Sequence, residues 1–124
     1  MKALVVDDSG VMRKVLMGIL KTTGMEEVAQ AADGLEAVKE ASANPYDLIL
    51  MDWNMPNMSG VEALQAIRGK GIKTPIIMVT TEAEKSRIIE AIKSGANNYV
   101  IKPFTAETVA EKVNAVLKQA AAAA

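Results

Sequence analysis

The sequence predicts an α/β fold: one parallel sheet of five strands with helices on both faces. Three observations carry this. Short apolar runs alternate five times with stretches of helical periodicity, and this alternation favours right-handed β-α-β crossovers. The central run, Leu48–Met51, is unbroken and lies between Pro45 and Pro56, so it reads as a strand buried on both faces. The apolar runs also end in polar residues, and a parallel sheet gathers its carboxyl ends on one edge.

The first strand is Ala3–Val6, ending in Asp7-Asp8-Ser9. Val11, Met12, Val15, Leu16, Ile19 and Leu20 then form a helical stripe, closed by Gly24. Val28–Ala31 is the second strand, and Asp33-Gly34 is a turn signal. Leu35, Val38 and Ala41 mark the second helix, which ends before Asn44-Pro45. The central strand leads into Asp52. Ser59-Gly60-Val61-Glu62 is a capping box, and Leu64 and Ile67 give the third helix its inner face. Gly69, Gly71 and Pro75 surround a loop. Ile76–Val79 is the fourth strand, ending in Thr80-Thr81. Thr81-Glu82-Ala83-Glu84 reads as a second capping box, opening a helix with the stripe Ile88, Ile89 and Ile92 and closed by Gly95. Tyr99–Ile101 is the fifth strand, ending in Lys102-Pro103. Thr105 caps a last helix carrying Val109, Val113, Val116 and Leu117. Residues 1–119 are expected to form one domain. Residues 120–124 are a low-complexity alanine tail with no assigned function.

Composition narrows the chemistry. Half of the 124 residues are hydrophobic but only 3% are aromatic, so the core must be aliphatic. A net charge of −1 gives no general attraction to nucleic acid or to anionic membrane. No apolar run approaches the roughly 20 residues that span a bilayer. Strand-like residues follow Met1-Lys2 at once, which leaves no room for a signal peptide. Cysteine is absent, which fits a reducing, cytoplasmic setting. Histidine is absent too, which excludes histidine acid–base catalysis and histidine metal sites.

The expected sheet edge collects Asp7, Asp8, Asp52, Thr80 and Lys102. Clustered carboxylates repel one another unless a cation lies among them. All-oxygen ligands suit a hard cation, Mg²⁺ with Mn²⁺ as substitute. With the Lys102 ammonium and the Thr80 hydroxyl, the edge suits phosphoryl transfer, with one Asp as nucleophile. Each residue has a plainer role on its own. Asp8 could cap the first helix, Thr80 and Thr81 could cap the fourth, and Lys102 could be solvated. Their joint occurrence at four of five strand ends favours a site. There is no G-x-x-x-x-G-K-[ST] loop and no G-x-G-x-x-G, so nothing supports direct nucleotide use.

The ordered set Asp7-Asp8-Ser9, Asp52-Trp53-Asn54-Met55-Pro56 with Ser59-Gly60, Val79-Thr80 and Tyr99-Val100-Ile101-Lys102-Pro103-Phe104 resembles the receiver domain of two-component response regulators, of the stand-alone chemotaxis type. The resemblance spans the whole chain. It implies a doubly wound sheet in the order 2-1-3-4-5. Asp52 would be the phosphoacceptor, and Asp8, Asp52 and the main-chain carbonyl of Asn54 would hold Mg²⁺, with Asp7 acting through water. Thr80 and Lys102 would contact the phosphoryl oxygens, and Thr80 and Tyr99 would form the switch pair. Lys102-Pro103 would be cis. Asn54 and Glu82 lie where the family tunes loss of the phosphoryl group. The donor would be a histidine kinase or a histidine-phosphotransfer protein, and a downstream protein, such as a flagellar motor switch, would read the changed surface. A monomer is expected. Two alternatives remain: a relay intermediate that passes the group to another histidine, and an aspartate-nucleophile phosphohydrolase. The latter has Asp-x-Asp where this chain has Asp7-Asp8, and needs a cap for which there is no length.

Overall fold

The computed structural model describes residues 1–123, so Ala124 of the predicted tail lies outside the described residues. Strands and helices alternate as β1 (Lys2–Val6), α1 (Gly10–Thr22), β2 (Glu27–Ala31), α2 (Gly34–Ala43), β3 (Leu48–Met51), α3 (Gly60–Gly69), β4 (Ile76–Thr80), α4 (Lys85–Lys93), β5 (Asn98–Ile101) and α5 (Ala106–Ala123). All strand pairs are parallel, and the order is β2-β1-β3-β4-β5, as expected. Every β3 residue is buried. The helix α5 continues through Ala120–Ala123.

The two-residue period of a strand divides the core in two. Leu4, Val6, Ile49, Met51, Ile76 and Met78 face α2, α3 and α4. Ala3, Val5, Leu48, Leu50, Ile77 and Val79 face α1 and α5. Burying both faces of this aliphatic sheet removes large apolar area from water, at about 25 cal/mol per Å².

Local chemistry sets the helix starts. Ser9 Oγ accepts from the Met12 amide at 3.2 Å and caps α1, so Asp8 does not. Ser59 and Glu62 form the predicted reciprocal box at α3, with bonds of 3.2 and 3.1 Å. Thr105 Oγ1 accepts from the Thr108 amide at 3.1 Å.

The Thr81 capping box does not form. The chain leaves β4 in a non-helical segment, α4 begins at Lys85, and Glu84 makes no side-chain cap bond. The Glu82 amide instead donates to Thr80 Oγ1 at 3.3 Å, because Thr80 is still in the strand and holds its side chain inward. Three apolar stripes are also only partly buried. On α1, Leu16, Ile19 and Leu20 are buried but Val11 and Val15 are exposed. On α4, Ala91 is buried and Ile88 partly so, whereas Ile89 and Ile92 are exposed; Leu35 of α2 is exposed as well. Periodicity groups residues that share a helix side. How far that side turns toward the sheet is fixed by tertiary packing.

Candidate functional site

The carboxyl ends of β1, β3, β4 and β5 deliver Asp7, Asp52, Thr80 and Lys102 to one rim, as the strand order requires. One carboxylate oxygen from each of Asp7, Asp8 and Asp52 lies within 4.8 Å of the others. Asp7 and Asp52 are buried, while Asp8 is exposed at the mouth. Lys102 Nζ donates to Asp7 Oδ2 at 2.7 Å and to Asp52 Oδ2 at 3.1 Å. Their second oxygens accept main-chain amides: Asp7 Oδ1 from Ser9 at 2.9 Å, and Asp52 Oδ1 from Trp53 at 2.7 Å. Every buried side-chain polar atom among the described residues has a partner.

Lys102 is therefore part of the cluster rather than a neighbour of it. Burial alone would lower its pKa. The hydrogen bonds and charges of Asp7 and Asp52 outweigh that and hold it above the usual lysine value. Three carboxylates against one ammonium leave two formal negative charges. An all-oxygen donor set with that residual charge fits a hard divalent cation.

Beside the cluster, Glu82 joins the expected switch residues. Thr80, fully buried, accepts from its amide. The Tyr99 hydroxyl donates to its carbonyl at 2.7 Å. Tyr99 is 8% exposed, so it is not a strand aromatic with its hydroxyl in water. Burial first, and then the charges of Glu82 and Asp52, push its pKa up to about 12. The Asn54 side chain donates to Glu82 Oε1 at 3.1 Å, linking the loop after β3 to the loop after β4. The Lys102-Pro103 bond is cis.

Two contacts were not legible in the sequence. The Arg87 guanidinium lies 5.5 Å from the centre of the Trp53 ring, which places a cation from α4 over the residue after Asp52. Asn57 Nδ2 donates to Asp33 Oδ2 at 2.7 Å, tying the β3–α3 loop to α2. Asp33-Gly34 signalled only a turn.

The chain is similar to known proteins along nearly its whole length. The model of the response regulator receiver domain matches residues 3–114. The chain is 40% identical over 121 residues to the chemotaxis protein CheY of Pseudomonas aeruginosa, covering 96% of this chain and 98% of that protein. It is 43% identical over 120 residues to CheY1 of Helicobacter pylori, covering 94% and 97%. Among solved structures, a Francisella response regulator receiver domain superposes with a TM-score of 0.89 at 32% identity, covering 96% of this chain and 98% of that one. CheY4 of Vibrio cholerae, a chemotaxis protein, gives 0.85 at 39% identity, covering 93% and 97%. A family match along nearly the whole chain, with a sheet edge that presents the acidic cluster and its lysine, makes this protein a response regulator receiver domain of the CheY-like kind, a component of two-component signalling.

Proposed function

We propose that Asp52 is the phosphoacceptor and that its phosphorylation switches a protein-binding surface. One observation carries this: Asp52 holds a carboxylate oxygen 3.1 Å from the Lys102 ammonium, inside the acidic cluster. An Asp52 oxygen forms a bond to phosphorus as the bond from phosphorus to a donor's imidazole nitrogen breaks. The imidazole leaves with the electron pair and takes up a proton. The donor is the phosphohistidine of a kinase or a phosphotransfer protein, since this chain has no histidine. Lys102 and Thr80 contact the transferred oxygens, and Lys102 offsets their charge.

Asp8, Asp52 and the Asn54 main-chain carbonyl would hold Mg²⁺, with Asp7 beside them. Bound there, Mg²⁺ (or Mn²⁺) would neutralise charge on the phosphoryl oxygens. The chain's catalysis is limited to its own phosphorylation and dephosphorylation. Thr80, Glu82 and Tyr99 pass the state of the site to α4 and β5. Ile89 and Ile92 of α4 and Ile101 of the edge strand β5 are exposed, which supports a protein partner at that surface. The chemotaxis relatives favour a motor-switch protein as that partner.

The test is mass spectrometry after incubation with acetyl phosphate and Mg²⁺. The intact mass should rise by one phosphoryl group in the parent and not in Asp52→Asn. Labelling that persists in Asp52→Asn, or that needs no divalent metal, overturns the assignment.

A further inference from the structure

The loop between β3 and α3 contains Asn54 and ends at Gly60. It is closed on itself by the Gly60 amide, which donates to the Trp53 carbonyl at 2.8 Å. A Cβ on Gly60 would lie 1.9 Å from the Asp52 carbonyl oxygen, so the helix start is pressed against the backbone of Asp52. The outer part of the loop is held differently, by the N-terminus of α2. The Gly34 amide donates to the Met58 carbonyl at 3.1 Å. A Cβ on Gly34 would come within 2.4 Å of that same oxygen. Only glycine allows this approach.

Asp33 works on both elements at once. Its Oδ1 caps α2 by accepting the Glu36 amide at 2.8 Å, and its Oδ2 accepts from Asn57 Nδ2 at 2.7 Å. Asn57 has φ of 68°, the left-handed region that asparagine tolerates better than most residues. The bond to a buried carboxylate holds it there. Neither Asp33 nor α2 belongs to the acidic cluster. They reach it through the loop that carries Asn54, by the Asn57 bond to Asp33 and the Gly34 bond to Met58.

We propose that Asp33 and Asn57 form a brace that fixes the β3–α3 loop, so that the N-terminus of α2 sets the position of the Asn54 main-chain carbonyl relative to Asp7, Asp8 and Asp52. This rests on the reading of those residues as a cation site. Asp33 and Asn57 are positioning residues: they act on the cation through the loop. Outer partners that orient metal ligands are worth about 10- to 100-fold in metal affinity.

The experiment uses the full chain and two variants. Asn57→Asp places two carboxylates face to face and breaks the tie. Asp33→Asn combined with Asn57→Asp restores a donor–acceptor pair with its direction reversed, and a side-chain oxygen remains to cap α2. Mg²⁺ affinity is titrated by Trp53 fluorescence, and amide hydrogen exchange at Gly34 and Met58 is read in the metal-free chains. Thermal melting establishes that each chain is folded. The brace requires Asn57→Asp to bind Mg²⁺ at least tenfold more weakly with faster exchange at Gly34, and the double variant to recover both. Simple electrostatics predicts the reverse, because Asn57→Asp adds negative charge near the site and should tighten Mg²⁺ binding. Equal or tighter binding by Asn57→Asp, or no recovery in the double variant, overturns the brace while leaving the site intact. A parent chain that does not respond to Mg²⁺ overturns the cation site, and the brace with it. Should Asn57→Asp fail to fold, Asn57→Gly, which keeps the left-handed backbone but removes the side chain, must still show weakened Mg²⁺ binding.

Discussion

Lys102 Nζ lies 2.7 Å from Asp7 Oδ2, an ion pair between residues 95 positions apart in the chain. The same ammonium reaches Asp52, so one lysine on the last loop joins carboxylates from β1 and β3. Both partners are largely withdrawn from solvent. The pair thus links the chemistry of the site to the stability of the sheet edge.

Removing that lysine leaves Asp7 and Asp52 without their counter-charge. Lys102→Ala is expected to lose about 3 kcal/mol of stability in chelator, the lower end for breaking a buried pair. Millimolar Mg²⁺ should recover part of the loss by binding only the folded chain. Lys102→Arg should not restore signalling, since a planar fork does not replace a compact ammonium. Thermal melting with chelator and with Mg²⁺, together with a partner-binding assay, checks each point. Equal melting of parent and Lys102→Ala in chelator would contradict the coupling.

Asp8 differs from its neighbours in being exposed. Its repulsion is therefore partly screened, and Asp8→Asn should gain only about 0.5 kcal/mol in metal-free buffer, the low end for a stabilising change. Its melting temperature should rise little on adding Mg²⁺, whereas that of the parent should rise with metal concentration. A variant that responds to Mg²⁺ like the parent would remove Asp8 from the cation site.

The two tyrosines of this chain provide a pH test. Burial, and for Tyr46 also its hydrogen bond to Glu40, push both pKa values up to about 12. The unfolded chain ionises its tyrosines near 10. Between these values the folded state binds more protons than the unfolded state. The stability contribution is complete below about pH 10 and is lost as pH rises toward 12. Lys102, with its raised pKa, acts in the same direction. Ultraviolet titration should show little phenolate at pH 10.5 while the protein remains folded. Half-ionised tyrosine at that pH in folded protein would refute the burial argument.

Tyr99→Phe isolates the bond from the hydroxyl to the Glu82 carbonyl. It should cost about 1 kcal/mol, the typical net worth of a hydrogen bond. Labelling of Asp52 should persist, while the affinity difference between phosphorylated and unphosphorylated protein for the partner should shrink. An unchanged difference would remove Tyr99 from the switch.

Gly60→Ala tests the approach of α3 to Asp52. The added methyl cannot fit 1.9 Å from a main-chain oxygen, so the backbone must move. A loss of about 3 kcal/mol is expected, near the upper end for ordinary substitutions. Slower labelling by acetyl phosphate should accompany it, because the displaced atoms belong to Asp52. A normal melting temperature would show that the loop yields easily.

The sequence by itself determined the number, type and order of the elements. Apolar runs of strand length and helical stripes differ in period, and a period is a local property. It also named the candidate residues of one edge. Asp7, Asp8, Asp52, Thr80 and Lys102 lie at or just after strand ends, and parallel strands share one carboxyl edge. Tertiary structure alone decided how those groups pair. The ion pair from Lys102 to Asp7 crosses the sheet, and nothing near either residue encodes it. Packing likewise decided that Ile89 and Ile92 face water while Ala91 is buried, since a stripe does not state its rotation against the sheet. It moved the start of α4 from Thr81 to Lys85: the chain leaves β4 in a non-helical segment, held there in part by the bond from the Glu82 amide to buried Thr80. The tie from Asp33 to Asn57 belongs with these: two polar residues 24 positions apart meet only because α2 and α3 pack side by side on one face of the sheet.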